Sequence, residues 1–405
     1  MISAFEPNQK PTKIGLVGTG FMARGIAHVI DRSPYELSRM LTRRPLKSVT
    51  GIPQDPIITQ QIAELIEHSD LIVVCCGDPV HVTDVVDQAI EAGLPIVTMD
   101  SEFHVTTGSW FVDKGLVTEA EGDQPGCLAA LRRDAISMGF EPLIYGNVKG
   151  FLNLYPSKSD MQYWSSKQGL SIEQTTSFTD GTKVQIEQAF VANAFDADIY
   201  LQGMLGPQTD NVEEGSQLLA DAANQRNEKS GKFRALSDYT LTPNFPGIFI
   251  TAKHLDYCRP YLNYFKMGDG PYYTLTKSFH LCHLEVMKTI RAVIERGDVL
   301  MNNSSQPRIS VATIAKRDLP RNHFIKHGIG SFDVRGETIE IADAADHVPI
   351  GLLMNGRLKH SVDKGQRISM DDIELPDTLA KTIWKKIAKR AVKRAASLKP
   401  ADKAV

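Results

Sequence analysis

KIGLVGTGFMA, at residues 13–23, is the stretch of sequence that decides the fold. Residues 13–17 form a mostly apolar segment of strand length, Gly18-x-Gly20-x-x-Ala23 follows at once, and apolar residues at helical spacing continue to Ile30. A strand, a glycine-rich turn and a helix in this order predict the phosphate-binding corner of a Rossmann domain. A tight turn that binds nothing has the same pattern and is the alternative interpretation.

Each small residue of this corner has a predicted purpose. Gly18 would allow the tight turn, Gly20 the close approach of a pyrophosphate, and Ala23 close packing of the helix on the strand. The pyrophosphate would accept hydrogen bonds from unpaired N–H groups at the start of the helix. The predicted cofactor contacts in this corner are Gly18, Thr19, Gly20, Phe21, Met22 and Ala23.

The end of the second predicted strand, at residues 36–42, indicates which dinucleotide is bound. NAD-binding domains usually carry Asp or Glu there, about 20 residues beyond the glycines, to bind the ribose hydroxyls. This chain has Arg43 and Arg44 and no acid at that position. Guanidinium groups suit the additional phosphate of NADP, whereas a solvated arginine pair would bind no ligand. The sequence therefore favours NADP, with NAD as the alternative.

The next segments predict a parallel sheet. They form a strand, a helix and a second strand, at residues 70–76, 81–92 and 95–99. This alternation implies right-handed crossovers. Gly77 and Asp78 follow the first of these strands and are predicted on the cofactor side. Glu102 and His104 follow the second, and they would either reach toward the nicotinamide or be ordinary polar loop residues.

A predicted helix in the middle of the chain carries a lysine in its first turn. Asp180 and Thr182 are good helix starters and place Lys183 at the positive end of the helix dipole. The dipole is expected to lower the pKa of Lys183, which suits proton transfer or the polarisation of a carbonyl. Asp180 and Glu187 would hold its ammonium group. The alternative is a capping pair on the surface.

Further polar residues are candidates for substrate binding. Lys149 follows a predicted strand at 142–145, and Lys266 and Asp269 lie in a glycine-hinged turn. Lys149 and Lys266 would bind a phosphate if the substrate carries one. The predicted substrate contacts are Lys266, Asp269 and Glu187.

A metal site is not predicted. The only oxygen ligands nominated for a divalent ion are Asp180, Glu187 and Glu102. His280 and His283 are predicted on one helical face, where a packed pair is favoured over a metal site.

Composition excludes several classes of protein. The 405 residues suggest two or three domains, and the net charge of -3 gives no electrostatic reason to expect nucleic acid or an anionic membrane. No apolar run reaches the ~20 residues that span a bilayer, and residues 1–13 have no apolar signal core. The five cysteines are scattered and odd in number, which favours reduced structural thiols. A cytoplasmic protein is predicted.

Several motifs together resemble one family, the deoxyxylulose-phosphate reductoisomerase-like (DRL-like) oxidoreductases, which are related in fold to homoserine dehydrogenase. The resemblance extends over residues 12–376 and rests on the Gly18 corner and on the segments around Glu102 and at 122–126, 176–187, 266–273 and 279–285. It implies a Rossmann domain, a catalytic and dimerising α+β domain, a C-terminal SAF-type β module and NADPH-dependent carbonyl chemistry. It also implies that Asp180 and Lys183 form the acid–base and carbonyl-polarising group. Ser101 and His104 depart from the family pattern.

The predicted architecture is therefore α/β with four parts. These are a Rossmann domain (1–145), a catalytic and dimerisation α+β domain (146–304), an SAF-like β domain (305–376) and a basic amphipathic C-terminal helix (377–405). The apolar side of this helix is expected to dock on the parent domain. Its basic side could instead bind an anionic surface or nucleic acid.

The predicted function is an NAD(P)-dependent oxidoreductase of the EC 1.1.1 class, acting on a small polar carbonyl or alcohol. Lys183 would stabilise the developing alkoxide, with Asp180 and also Glu102 or Lys149 handling protons. One option is a reductoisomerase on a sugar phosphate, which would also need a divalent ion. The alternatives are a simple homoserine-dehydrogenase-like alcohol dehydrogenase and a non-catalytic dinucleotide sensor. A homodimer is expected.

Overall fold

The computed structural model describes residues 10–53 and 57–398. The predicted N-terminal domain begins at residue 1 and the predicted C-terminal helix ends at residue 405. Both of these residues lie outside the part of the chain that the structure describes. The first sheet has six parallel strands in the order β3-β2-β1-β4-β5-β6. Its strands are β1 Lys13–Val17, β2 Glu36–Leu41, β3 Ile57–Thr59, β4 Leu71–Val74, β5 Ile96–Thr98 and β6 Val117–Glu119. This order is that of a Rossmann sheet, so the predicted α/β class is confirmed.

Helices alternate with these strands. They are α1 Phe21–Asp31, α2 Ile62–Glu67, α3 Pro79–Glu91, α4 Ser101–Thr106 and α5 Gln124–Ser137. The buried strand residues Ile14, Leu16 and Val73 pack with Ile26 and Ile30 of α1 in one apolar core. Apolar residues on both faces of the central strands are what a parallel sheet covered by helices requires.

The second sheet is mixed and has the order β10-β9-β7-β8. Its strands are β7 Glu141–Lys149, β8 Leu236–Leu241, β9 Gly247–Lys253 and β10 Tyr272–Lys277. The helices of this region are α6 Lys158–Gln168, α7 Ile172–Thr179, α8 Thr182–Ala194, α9 Val212–Ser230, α10 Arg259–Tyr264 and α11 Cys282–Arg296. Alternation along β7 puts Ile144 in the core with α9 and Tyr145 in the core with α8.

Two boundaries differ from the sequence prediction. Residue 145 falls inside β7, which pairs with β9 from Glu141 to Val148, so the change of sheet comes before Glu141. Helix α11 also returns to the first sheet, where Val286 and Ile290 pack with the α1 core. This return is decided by the burial of apolar side chains against residues that are remote in sequence. A division of the chain into consecutive domains cannot describe such packing.

The C-terminal part is built from short antiparallel strands. Strand β11 Ile309–Ala315 pairs with β13 Val334–Glu340, and a second small sheet has the order β12-β14-β15. The strands of this second sheet are β12 Phe324–His327, β14 Met354–Leu358 and β15 Ile373–Glu374. Helix α8 packs against β11 and β13 on one side and against α4 on another. Helix α8 thus lies between the C-terminal strands and α4.

The last helix, α12 Leu379–Leu398, docks on the rest of the chain as predicted. Ile383, Trp384 and Ile387 on its apolar side are buried. The Trp384 ring stacks edge-on against His347, with 5.2 Å between ring centroids. Among the helices of residues 10–53 and 57–398, none combines the length and the apolar character needed to cross a membrane. All five cysteines are free thiols.

Replacement of His347 by glutamine is expected to remove part of the acid sensitivity of the fold. The His347 ring is completely buried, its Nδ1 donates to the Ala344 carbonyl at 2.6 Å and its Nε2 is 2.8 Å from the Ser310 hydroxyl. Burial lowers the pKa of His347 to about 4, below the ~6.5 of an unfolded chain. Between pH ~4 and ~6.5, His347 is therefore protonated in the unfolded state but not in the folded state. The free energy of unfolding has its full His347 contribution above pH ~6.5 and loses it as the pH falls toward ~4.

Denaturant titrations at pH 7 and pH 4.5 measure this contribution. The free energy of unfolding of the wild type should fall by about 2 kcal/mol more than that of His347→Gln between these two pH values. The other acid-sensitive groups are present in both proteins, so they cancel in the comparison. Equal losses in the two proteins would show that His347 is not the group responsible.

Candidate active site

The glycine corner between β1 and α1 has the conformation that a dinucleotide site requires. Gly18 has φ +119°, and a Cβ atom there would lie 2.4 Å from the carbonyl oxygen of Cys75. Only glycine fits this position without displacing the backbone of the neighbouring strand end. Ala23 is fully buried under the helix, in the packing position that the sequence pattern predicts.

Open space lies in front of the first turn of α1. Gly20 is the N-cap of α1 and provides no side chain to satisfy the helix N–H groups. A Cβ atom at Gly20 would meet nothing within 4 Å. Unpaired N–H groups that face an open cleft suit the pyrophosphate of a dinucleotide, so the residues present fit that cofactor.

The end of β2 adds two arginines to the same cleft. The Thr42 hydroxyl lies 3.0 Å from that of Thr19 and accepts a hydrogen bond from the Arg44 N–H at 3.1 Å. Arg43 Nη2 lies 2.6 Å from Asp78 Oδ2. A guanidinium has five N–H donors, so the pair with Asp78 leaves Arg43 donors for a ligand.

The loop after β4 is tied to the start of α4 through Asp100. The Gly77 N–H donates to Asp100 Oδ2 at 2.7 Å, and the Phe103 N–H donates to Asp100 Oδ1 at 3.2 Å. Burial, with the neighbouring Glu102 charge, raises the pKa of Asp100 to about 8. Asp78 caps α3 by accepting from the N–H groups of Val80 and His81. These bonds hold Gly77 and Asp78 at the predicted edge of the sheet.

One cleft of about 1430 Å³ joins the glycine corner to the mixed sheet and the C-terminal strands. Its dinucleotide end contains all the predicted cofactor contacts except Ala23: Gly18, Thr19, Gly20, Phe21, Met22, Arg43, Arg44, Gly77 and Asp78. Its other end contains Glu102, Lys149, Lys183 and Glu187. The structure therefore brings these four charged residues from separate elements into one space.

Lys183 is bonded to Glu102 across 81 positions of sequence. Its Nζ donates to both carboxylate oxygens of Glu102, at 2.9 and 3.0 Å, and both side chains are nearly buried. Burial by itself would lower the pKa of Lys183, but the carboxylates of Glu102, Asp123 and Glu187 raise it well above its ordinary value. The predicted fall in pKa is therefore wrong, because the three carboxylates outweigh the effect of burial. The raised pKa favours the protonated form of Lys183 in this site.

A second lysine lies beside this pair. Lys149 Nζ donates to Glu187 Oε2 at 3.0 Å and also to the side-chain oxygen of Gln124. The Asn147 amide donates to the same Glu187 oxygen at 2.8 Å. Glu187 is almost fully buried, and these donors satisfy its buried oxygen. Lys149 thus presents a positioned ammonium group to the cleft.

Asp180 lies elsewhere, and the predicted Asp180–Lys183 pair does not form. Asp180 is completely buried and its Oδ2 accepts from Lys316 Nζ at 2.5 Å. Gly181, with φ +82°, caps α8 between the two residues. This left-handed residue starts the helix so that Asp180 faces the C-terminal strands, whereas Lys183 faces the cleft. Asp180 is not among the residues that line it.

Three other nominated residues also lie away from the cleft. Lys266 and Asp269 are exposed in the loop after α10, where Asp269 Oδ1 accepts from Asn263 at 2.5 Å. His104 is buried against Glu119, at 3.3 Å, and stacks on Phe190. Burial lowers the pKa of His104 to about 3. The packing of the surrounding elements directs these side chains away from the cleft, although their positions in the motifs suggested otherwise.

His280 and His283 do not share a helical face, since α11 begins only at Cys282. His280 lines the cleft, whereas the side chain of His283 approaches Gly25 of α1. Each of the three nominated oxygen ligands is paired with a different lysine, and Asp180 does not line the cleft that contains Glu102 and Glu187. Within residues 10–53 and 57–398, no group of three or more metal-binding side chains occurs.

Asp123 is a cleft residue that the sequence analysis did not nominate. It precedes α5, yet its carboxylate makes no capping hydrogen bond with the helix. Its Oδ2 instead accepts from the Ser101 hydroxyl at 3.2 Å, and the residue lines the cleft. Its position in the sequence could have indicated this role. Asp123 comes four residues after Glu119, the last residue of β6, and the carboxyl ends of parallel strands lie on the cofactor side of the sheet.

The comparisons with known proteins agree with this geometry. Residues 122–286 match the family model described as oxidoreductase DRL, catalytic domain. This segment contains the mixed sheet together with Asp123, Lys149, Lys183 and Glu187. A search of curated proteins finds no match.

Two solved structures are among those to which the chain shows similarity. Homoserine dehydrogenase from S. aureus is 11% identical, with 82% of this chain and 93% of that chain covered and a TM-score of 0.43. GenD2 from gentamicin A biosynthesis, solved in complex with NAD, is 15% identical, with 39% of this chain covered and a TM-score of 0.27. The match spans only half the length of GenD2, 50%. At these TM-scores neither likeness bears on function.

The matched catalytic domain and the buried lysine–carboxylate pairs lie on the same cleft as the glycine corner. The protein is an oxidoreductase enzyme with a Rossmann sheet, and its mixed sheet is similar to the catalytic domain of the DRL oxidoreductases.

Proposed function

We propose that the protein is a dehydrogenase that uses NADP in preference to NAD and interconverts a carbonyl and an alcohol on a small polar substrate. The observation that carries this proposal is the common cleft, which places the Lys183–Glu102 pair in the same space as the Gly18 corner. When bound, the nicotinamide group supplies a carbon that gives or accepts hydride. The chain itself supplies position and charge.

Two lysines carry out the remaining steps, which are stabilisation of charge on the substrate oxygen and transfer of its proton. The Lys183 ammonium group hydrogen-bonds the substrate oxygen and stabilises the negative charge that develops on it. Glu102 holds this ammonium in place, since it accepts from Lys183 through both oxygens. Lys149, fixed by Glu187 and Gln124, donates the proton to the substrate oxygen in reduction and takes it back in oxidation. Asp180 has no part in this proton transfer.

A substrate without a phosphate group suits the cleft better than a sugar phosphate does. Lys149 and Lys183 line its mixed-sheet end, and both are already paired with glutamates. A phosphate dianion would compete with Glu102, Glu187 and Asp123 for these two cations. We therefore favour the simple alcohol dehydrogenase over the reductoisomerase.

Three further proposals concern the whole molecule. The short antiparallel strands of residues 309–374 support an SAF-like module. A homodimer is supported by exposed aromatic residues in the segment that precedes the edge strand β10 in sequence: Tyr257, Tyr261, Tyr264 and Phe265. Light scattering should give twice the mass of 44.8 kDa. The expected cytoplasmic location is supported by the five free thiols, which suit a reducing compartment.

The double substitution Arg43→Ala/Arg44→Ala is expected to weaken NADPH binding by about 30-fold and to leave NADH binding nearly unchanged. Charge-assisted hydrogen bonds to a phosphate contribute roughly 2 kcal/mol, and NADH lacks that phosphate. Titration of both cofactors by calorimetry measures the difference. NADH serves as the internal control, and an equal loss for both cofactors would remove the proposed preference.

A substrate screen tests the proposed reaction. Polyols, hydroxy acids, homoserine, keto acids and sugar phosphates are incubated with oxidised or reduced cofactor, and the absorbance of NADPH is followed. Turnover of a compound without phosphate is the expected result. Turnover that requires a phosphate group and a divalent ion would favour the reductoisomerase instead.

A further inference from the structure

The start of α8 is held by the C-terminal strands on the side opposite to the cleft. Lys316, the residue after β11, is buried, and its Nζ donates to Asp180 Oδ2 at 2.5 Å and to the Ser331 carbonyl at 2.6 Å. Asp180 Oδ1 in turn accepts from the Thr182 N–H at 2.9 Å. One carboxylate therefore connects the C-terminal strands to the first backbone N–H group of α8.

Two further side chains of the same helix are bonded to β13. The Gly336 N–H donates to the Thr182 hydroxyl at 2.9 Å, and the Thr338 N–H donates to Gln185 Oε1 at 2.8 Å. The backbone approaches the helix closely here, since a Cβ atom at Gly336 would lie 3.2 Å from Thr182 Cγ2. Asp180, Thr182 and Gln185 thus form a clamp with Lys316 and β13.

Lys183 lies within this clamp in sequence but points away from it. Its neighbours Thr182 and Gln185 face β13, whereas Lys183 and Glu187 face the cleft. Any movement of the first turn of α8 would move the Lys183 ammonium relative to the substrate. Because catalysis requires the reacting groups to be held close to productive geometry, such a movement would slow the reaction.

We infer that the C-terminal strands position Lys183 for the reaction, and that Lys316 is the positioning residue through which they act. This inference rests on the proposed function, in which Lys183 is the catalytic cation. It gives the C-terminal part of the chain a role in catalysis, although Lys316 is not among the residues that line the cleft. It also explains why Asp180 is kept as a buried carboxylate outside that cleft.

The double variant Asp180→Asn/Lys316→Met separates positioning from stability. Lys316→Met alone leaves the Asp180 charge buried without its partner, which destabilises the fold. The double variant removes both charges, and the asparagine that replaces Asp180 can still accept from the Thr182 N–H group. We expect its stability to return toward that of the wild type, while kcat stays about 10²-fold low because the link to β11 is absent. The dinucleotide Kd should be unchanged.

Amide hydrogen exchange provides a measurement that does not need a substrate. In the double variant, residues 180–187 should exchange faster than in the wild type, even where global stability is equal. Leu358→Ala is the control, since it removes a buried side chain of β14 that is not part of the clamp. It should lower global stability without the selective loss of protection at 180–187.

The outcomes separate this inference from the function on which it rests. Recovery of kcat together with stability in the double variant, or wild-type protection of residues 180–187, would overturn the positioning role. A loss of kcat in Leu358→Ala as large as that in the double variant would also overturn it. If Lys183→Met keeps full turnover, the catalytic role of Lys183 fails first.

Discussion

Lys183→Met is expected to lower kcat by about 10³-fold while leaving the affinity for NADPH nearly unchanged. Methionine keeps much of the volume of the side chain and removes the ammonium group. The developing negative charge on the substrate oxygen then loses its principal counter-charge in a cleft where the group is nearly buried. Steady-state rates and a cofactor titration on the same preparation give both quantities.

The pH dependence of the wild type adds a second expectation for Lys183. The carboxylates of Glu102, Asp123 and Glu187 keep its pKa well above the ordinary value, although burial opposes them. Lys183 therefore remains protonated throughout the working range, so kcat/KM should show no titration by this residue across roughly pH 6 to 9. Its contribution is electrostatic, and it is not a general base.

Lys277→Met is the matched control for Lys183→Met. Lys277 pairs with Glu285 at 2.5 Å, and its side chain is 16% exposed, compared with 12% for Lys183. Lys183→Met leaves the nearly buried Glu102 without its lysine, whereas Glu285 keeps Lys288 Nζ at 3.2 Å after Lys277→Met. The loss of stability in Lys277→Met should therefore be no larger than that in Lys183→Met. Only Lys183→Met should remove turnover. Comparable kcat values in the two variants would refute the assignment of Lys183.

Gly20→Val is expected to weaken the binding of both NADPH and NADH by at least about 100-fold without unfolding the protein. Gly20 has φ -76° and ψ -173°, an extended backbone that valine adopts readily. The added methyl groups project into the space in front of α1, where the pyrophosphate must approach the backbone. Circular dichroism checks the fold, and calorimetry measures cofactor binding.

Two other glycines serve as comparisons for Gly20. Gly18→Ala should instead destabilise the fold, because its Cβ atom would meet the Cys75 carbonyl oxygen at 2.4 Å. Gly150→Val adds the same side chain at another open position of the cleft, beyond Lys149, and should leave dinucleotide binding intact. Wild-type affinity in Gly20→Val would contradict the site, as would a wild-type protein that binds neither cofactor at millimolar concentration.

Much of the dinucleotide end could be predicted because its determinants are local. The Gly18 corner, the strand that ends before Arg43 and the loop at Gly77 each depend on a few consecutive residues. A few consecutive residues are enough to determine backbone conformation and hydrophobic periodicity. The parallel order of the strands then follows from the alternation of strands and helices. All the predicted residues of this end except Ala23 accordingly line one cleft.

The pairing of charges could not be predicted in the same way. Asp180 is three residues from Lys183, and this proximity suggested a pair, yet Lys183 is bonded to Glu102 and Asp180 to Lys316. The partners are 81 and 136 positions apart in the chain. Which charges meet depends on how α8 packs between α4 and the C-terminal strands. The exposed positions of Lys266 and Asp269 have the same origin.

Sequence alone determined the Rossmann sheet, the glycine corner and the set of charged residues from which a site could be built, because short-range sterics and periodicity control these features. Tertiary structure decided which of these residues share a cleft, that the Lys183 pKa rises and does not fall, and that Asp180 belongs to a structural pair. The physical reason is that electrostatic energies in a protein interior depend on distances between side chains that are remote in sequence.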